Sequence, residues 1–261
     1  MLFNSLPFLI FFLFYISLIY FFKNQWKVIT IVFSIFFYSY WNIYFCFLLV
    51  GEALFTWQIG NLIQKDNKYK KKNLILGLTI PLLVLFIFKY FNFFIDDIFK
   101  INLQNKILTN IILPIGISFY TFQAIMYLVD VYKKKIQDTS LQNFLVFFLF
   151  FPNLIAGPLV SPKSFLPQLK KEIVFIPKKI KSAILIILWG YFLKLCISNN
   201  ISIYVDKVYS NIIDVNSATL ITASIFYSFL IYADFAGYSL IAIGIAKIVG
   251  LNVPANFKTP Y

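Results

Sequence analysis

The chain has no histidine, only two cysteines and two methionines, and 13% charged residues in a length of 261. Each shortage excludes something. Without an imidazole, none of these residues supplies a histidine general base, a histidine-assisted nucleophile or a histidine metal ligand. Cys46 and Cys196 stand in apolar stretches with no CxxC spacing and no third ligand type beside them, so they read as small core residues and no metal site is expected. Neither a GxSxG elbow nor a Walker lysine loop occurs. Arginine is absent as well: all 23 basic residues are lysine. Together with abundant Phe, Asn and Ile, this looks like codon bias toward A and T and carries no mechanism.

What the chain does have is apolar length. Hydrophobic residues make up 61% of it and the mean hydropathy is +0.82, well above a soluble domain. Runs such as LPFLIFFLFYISLIYFF (6–22) are continuously apolar, which suits membrane helices and not the short alternating strands of a barrel. The expectation is an all-α polytopic membrane protein. It forms one domain over 1–261, a bundle of about eight or nine hydrophobic segments near 6–22, 28–41, 43–60, 74–94, 111–131, 141–157, 182–198, 218–236 and 238–250. No basic residue precedes the first run and no small-residue cleavage site follows it, so it reads as a retained helix.

A net charge of +13 would point to nucleic acid in a soluble protein. Here the lysines gather in short loops, where they orient the chain, and no nucleic-acid partner is implied. Lys23 and Lys27, then Lys65 to Lys72, place their loops inside, and Lys133 to Lys135 follow. The loop 95–110 balances Asp96 and Asp97 against Lys100 and Lys106, as an outside loop should. Alternation fails at 158–181, which carries six lysines against Glu172. A re-entrant hairpin at 141–157 repairs it, because FFPNLIAGP (150–158) puts Pro152, Asn153, Gly157 and Pro158 at membrane depth. The N-terminus is then outside.

Two polar features sit within these spans. Gly116, Tyr120, Gln123, Tyr127 and Asp130 are spaced four, three, four and three, one stripe on a helix. It serves either as interhelical glue or as the lining of a cavity. Asp234, in YADFAGYS (232–239), costs about 3 kcal/mol at mid-membrane and needs a bundle interior or a partner. Lys194 and Lys89 are the candidates, with Tyr232 and Tyr238 beside it. Gly237 predicts either a helix break, pairing 218–236 with 238–250 around a pocket, or a close helix approach. Glu52 is a third intramembrane acid, with a packing or interface role.

Four stretches in order then resemble the membrane-bound O-acyltransferase family, in its bacterial branch acting on polysaccharides such as alginate and peptidoglycan. They are FKYFNFF (88–94), LPIGISFYTFQAIMYLVDVY (113–132), FFPNLIAGPLVSPKSFLPQL (150–169) and YADFAGYSLIAIGIAKIVGLNVPANFKTPY (232–261). The opening MLFNSLPFLIFFLF also looks like a family N-terminus. Leu240, Leu230 and Ser161 depart from the common pattern, which leaves the substrate subtype and any donor contact at 161 open.

The resemblance implies a helical bundle around a funnel in a bacterial cytoplasmic (inner) membrane, with no bound cofactor and acyl-CoA (acetyl-CoA) as the donor from the cytoplasm. It also implies membrane lipid around the chain, an extracytoplasmic acetyltransferase partner protein, and a polysaccharide as final acceptor. The family's active-site His, in a WRRWH-like motif, is expected after Tyr261, so no catalytic residue is expected in this chain, which reads as a truncated piece inactive alone. Tyr120, Gln123, Tyr127, Asp130, Asn153, Tyr232, Asp234, Tyr238 and Asn256 are the candidates to line or support the funnel. Broken helices and buried acids would also suit a transporter or flippase, though no internal repeat relates PIGISFYTF to YADFAGYS. A non-catalytic scaffold is the third reading.

Overall fold

The computed structural model describes residues 3–65, 68–98, 112–155, 157–171 and 175–257. Most of the loop 95–110, Asp66, Glu172 and the end of the NFKTPY motif from 258 onward lie outside these residues. Among the described residues every regular element is helical. Four helical runs are long and apolar enough to cross a membrane, Ile43–Lys65, Lys70–Phe91, Pro177–Ser210 and Ser217–Ile248. A fifth follows if Leu6–Phe21 and Lys23–Ser39 count together. This is a multi-pass membrane protein.

The chain divides into two compact units. One comprises Met1–Trp26, Ala156–Leu159 and Glu172–Tyr261, the other Lys27–Ile155 and Val160–Lys171. In the first unit, α1 (Leu6–Phe21) begins at Ser5, whose hydroxyl accepts from the Phe8 N–H at 3.3 Å. Helix α9 (Pro177–Tyr191) opens on proline, which lacks the N–H that a first turn leaves unpaired. It runs through a π-helical stretch, Phe192–Ser198, into α10 (Asn199–Ser210). Leu185, Leu188 and Trp189 stay exposed on this run, as a lipid-facing surface requires.

Helix α11 (Ser217–Ile248) corrects one expectation. It is a single helix of 32 residues, capped by Asn216, and Gly237 does not break it. Gly237 is instead where another backbone comes near. A Cβ there would stand 2.8 Å from the Gly190 carbonyl oxygen, and one on Gly190 would stand 2.7 Å from that of Gly237. Seven residues along each helix, a Cβ on Gly244 would meet the Ala183 carbonyl oxygen at 2.9 Å. α9 and α11 thus pack antiparallel along a seam of small residues, the usual way for helices to associate where water does not drive them together. The left-handed Gly250 (φ 84°) ends α11, and the Leu251 N–H closes back on Ala246 O at 2.9 Å.

The second unit holds α2 (Trp26–Ser39) from Lys27 onward, α3 (Ile43–Lys65), α4 (Lys70–Asn92) and α5 (Ile117–Tyr132), then short α6 (Leu141–Leu149), α7 (Phe151–Leu154) and α8 (Pro162–Phe165). The break between α6 and α7 falls at Phe150, just before Pro152. Nine residues of α6 rise about 14 Å, less than half of a ~30 Å hydrocarbon core. This irregular stretch is buried in aromatic rings: Phe144 lies 5.4 Å from Phe148, Phe37 lies 5.4 Å from Phe151, and Phe165 lies 5.7 Å from Phe150. The Ser34 hydroxyl accepts from the Phe151 N–H at 3.2 Å, satisfying a donor that the break would otherwise strand. Gly116 is left-handed (φ 77°) at the start of α5, and any Cβ there would run into the Leu154 carbonyl.

Candidate functional site

In the first unit the geometry follows from the seam. One turn beyond Gly190 on α9 lies Lys194, inside the π-helical stretch, and just under one turn before Gly237 on α11 lies Asp234. Antiparallel packing brings the two together, and Lys194 Nζ donates to Asp234 Oδ1. Lys194 is 8% exposed, whereas about a third of the Asp234 side chain is accessible (38%). The same ammonium stands 4.2 Å from the centre of the buried Tyr238 ring, a cation–π contact. Tyr238 in turn packs 5.2 Å from Phe3, whose carbonyl accepts from the Tyr191 hydroxyl at 2.6 Å. One turn of π-helix holds the lysine in register, and such stretches recur at functional sites.

Around this pair, the Asn256 amide donates to the Ser239 hydroxyl at 3.4 Å, tying the segment after α11 back to the helix. The Tyr232 ring lies 5.9 Å from Phe257. It also lines an apolar hollow with Phe192 and Phe226, to which neither Lys194 nor Asp234 contributes. Of the two partners considered for Asp234, Lys194 is the one engaged. Lys89 sits in α4 of the other unit, 5.4 Å from the Tyr90 ring.

In the second unit the polar stripe of α5 faces the interior, with Tyr120, Gln123 and Tyr127 buried. Gln123 Nε2 donates to the Phe147 carbonyl at 2.8 Å and so pins α6 just before its break. Tyr127 packs 4.6 Å from the Phe144 ring and against Gly60, where a Cβ would lie 2.7 Å from the tyrosine ring. Asp130, at the end of the helix, pairs with Lys135 at 3.5 Å. These contacts join α5 to α3 and α6 through groups that also present hydroxyls inward. Asn153 follows the break, and its Oδ1 is buried without a hydrogen bond among the described residues.

Comparison with known proteins decides the family. The chain is 33% identical to a peptidoglycan O-acetyltransferase of Helicobacter pylori over 92% of its length and 50% of that protein. It is 32% identical to a probable alginate O-acetylase, AlgI, of Pseudomonas aeruginosa over 100% of its length and 52% of that protein. The chain belongs to the membrane-bound O-acyltransferase family. More distantly, a teichoic acid D-alanyltransferase of Streptococcus thermophilus is 24% identical over 56% of the chain and 37% of its own length. No family model matches. This acyltransferase-family chain spans about half the length of the curated relatives it matches.

Sequence reading passed over the polar setting of Glu52. The Tyr38 hydroxyl donates to the Ile115 carbonyl at 2.8 Å and lies beside that of Tyr120, with Glu52 near both. Glu52 is 8% exposed, and neither carboxyl oxygen is hydrogen-bonded among the described residues; the Thr56 and Thr121 hydroxyls share that condition. Nothing in IYFCFLLVGEALFTW marks Glu52 and Thr56 except that they are polar. A buried carboxyl without partners costs about 1–3 kcal/mol. Glu52→Met, of similar volume, is therefore expected to raise the midpoint of thermal unfolding in detergent. A lowered midpoint would mean the carboxyl is held by ordered water and contributes to the fold.

Proposed function

We propose that the parent protein is a membrane-bound O-acyltransferase that moves an acetyl group from a cytoplasmic thioester, acyl-CoA, toward an extracytoplasmic polysaccharide of the peptidoglycan or alginate kind. The observation that carries this is the likeness over at least nine-tenths of the chain to proteins named as a peptidoglycan O-acetyltransferase and an alginate O-acetylase. The membrane is the bacterial inner membrane, with the N-terminus outside. An extracytoplasmic acetyltransferase then receives the group. Residues 1–261 contain no His, so the family's imidazole base is supplied from outside them. Of the eight or nine segments expected, 141–157 is re-entrant, a reading supported by the shortness of α6 and the buried break at Phe150.

In this reading the two polar groupings serve the reaction by holding shape. Lys194, Asp234 and Tyr238 fix α9 against α11, and Gln123 fixes the broken segment against α5. A transporter reading drew on broken helices and intramembrane acids; of the two breaks expected, the one at Gly237 is not there, since α11 is continuous. The test is deletion of the gene, followed by alkaline release of acetate from purified peptidoglycan and from secreted polysaccharide. Loss of acetate from one of them, restored by the gene in trans, is the expected result. Acetate unchanged on both would remove the reading, and a loss of D-alanine from teichoic acid instead would move it to another acyl group.

A further inference from the structure

The second unit carries a hollow of about 220 Å³ that no part of the acyl-transfer reading uses. It is lined by Lys135, Lys163 and Lys170 together with Thr139, Asn143 and one acid, Asp138. Lys135 is shared with Asp130 at 3.5 Å, whereas neither Lys163 nor Lys170 has an ion-pair or hydrogen-bond partner among the described residues. The Asn143 amide oxygen is occupied, accepting from Lys27 Nζ at 2.8 Å, which leaves its NH2 group as a donor. The hollow therefore offers three cations and an amide donor against one carboxylate.

Its place in the fold is set by the spans. Lys70, the first residue of the membrane-length helix α4, donates to the carbonyl of Tyr132, the last residue of α5. The segment that follows, Ile136 to Asp138, lines this hollow and also a neighbouring one of about 290 Å³ that reaches Gln64 near the end of α3. The shared segment thus places both hollows beside the ends of membrane-length helices, the level at which a spanning helix meets lipid headgroups. Basic pockets at the lysine-rich ends of such helices are sites for anionic lipid headgroups. A hollow of 220 Å³ is also smaller than the roughly 300–1,000 Å³ that drug-sized ligands occupy, which favours a headgroup over an entire nucleotide.

We propose that Lys135, Lys163 and Lys170 seat the phosphate of an anionic phospholipid headgroup. The test is native mass spectrometry of the purified chain taken from micelles containing equal phosphatidylglycerol and phosphatidylcholine. Selective retention of phosphatidylglycerol is expected. Lys163→Ala with Lys170→Ala lowers that retention roughly 30-fold, at about a factor of five per lysine. Lys163→Arg with Lys170→Arg keeps it, as does a control at two lysines that do not line the hollow, Lys178→Ala with Lys179→Ala. Equal retention of the two lipids, or equal loss in the control, overturns the proposal. Displacement of phosphatidylglycerol by inorganic phosphate or coenzyme A at micromolar concentration also overturns it, by assigning the hollow to a soluble phosphate.

Discussion

Lys194→Ala is expected to cost the protein about 3 kcal/mol, roughly 150-fold in the balance of folded to unfolded chain. The reason is the partner left behind. Asp234 keeps its carboxylate within a membrane-length helix, loses the ammonium that neutralises it, and gains nothing in return. The figure sits at the low end for a buried pair, because about a third of the Asp234 side chain remains accessible (38%). The Tyr238 ring also loses the cation over its face, worth a further fraction of a kilocalorie to about 2 kcal/mol. The measurement is the monodisperse yield and thermal midpoint of the purified protein in detergent.

Removing both charges separates structure from chemistry. Lys194→Met with Asp234→Asn leaves no stranded ion and is expected to recover most of the lost stability, so the cycle of single and double variants shows strong coupling. Independent, additive losses would mean the two side chains do not meet. In the full enzyme the same double variant then decides the pair's role. Glycan acetylation that returns with stability makes the pair a clasp between helices. Acetylation that stays absent in a stable protein makes the charges part of the reaction.

How much of this could be read from residues alone differs between the two groupings. Asp234 announced its need for a partner, because a carboxylate among FLIYADFAG has few cheap solutions in a membrane, and Lys194 was one of two lysines near enough to apolar sequence to serve. The stripe from Gly116 to Asp130 was equally legible, since a helical period of small and polar residues has to face inward. Pro152 marked the break in FFPNLIAGP. What could not be read was which oxygen or ring each polar group meets. Gln123 chooses a carbonyl of α6, a contact set by tertiary packing with no local trace.

Gly237 shows the limit most clearly. A glycine in an apolar run fits a break and a close approach equally well, because both use the missing Cβ. The distinguishing information was present but lay elsewhere, in the seven-residue spacing of Ala183 and Gly190 on one helix matched by Gly237 and Gly244 on the other. Helix count was harder still. Segments near 141–157 are apolar enough to cross, yet α6 stops after nine residues, and mean hydropathy does not register where a helix ends.

The seam makes the second large prediction. Gly237→Val is expected to abolish most of the folded yield, with Gly237→Ala intermediate. A Cβ at 237 would lie 2.8 Å from the Gly190 carbonyl oxygen and 3.2 Å from both the backbone nitrogen and the Cβ of Lys194. Two of these three neighbours are backbone, so relief requires α9 and α11 to move apart; overpacking of this kind costs typically about 1–3 kcal/mol and sometimes more. Parting them also draws Lys194 from Asp234, adding much of the first penalty to the second. Gly51→Ala is the matched control of opposite sign. It sits in helix α3 with nothing within 4 Å of its would-be Cβ, and exchanging an exposed helical glycine for alanine stabilises by up to about 1 kcal/mol. A Gly237→Val protein with the yield and thermal midpoint of the parent would show that the helices do not touch at 190 and 237, and the register that places Lys194 on Asp234 would fall with it.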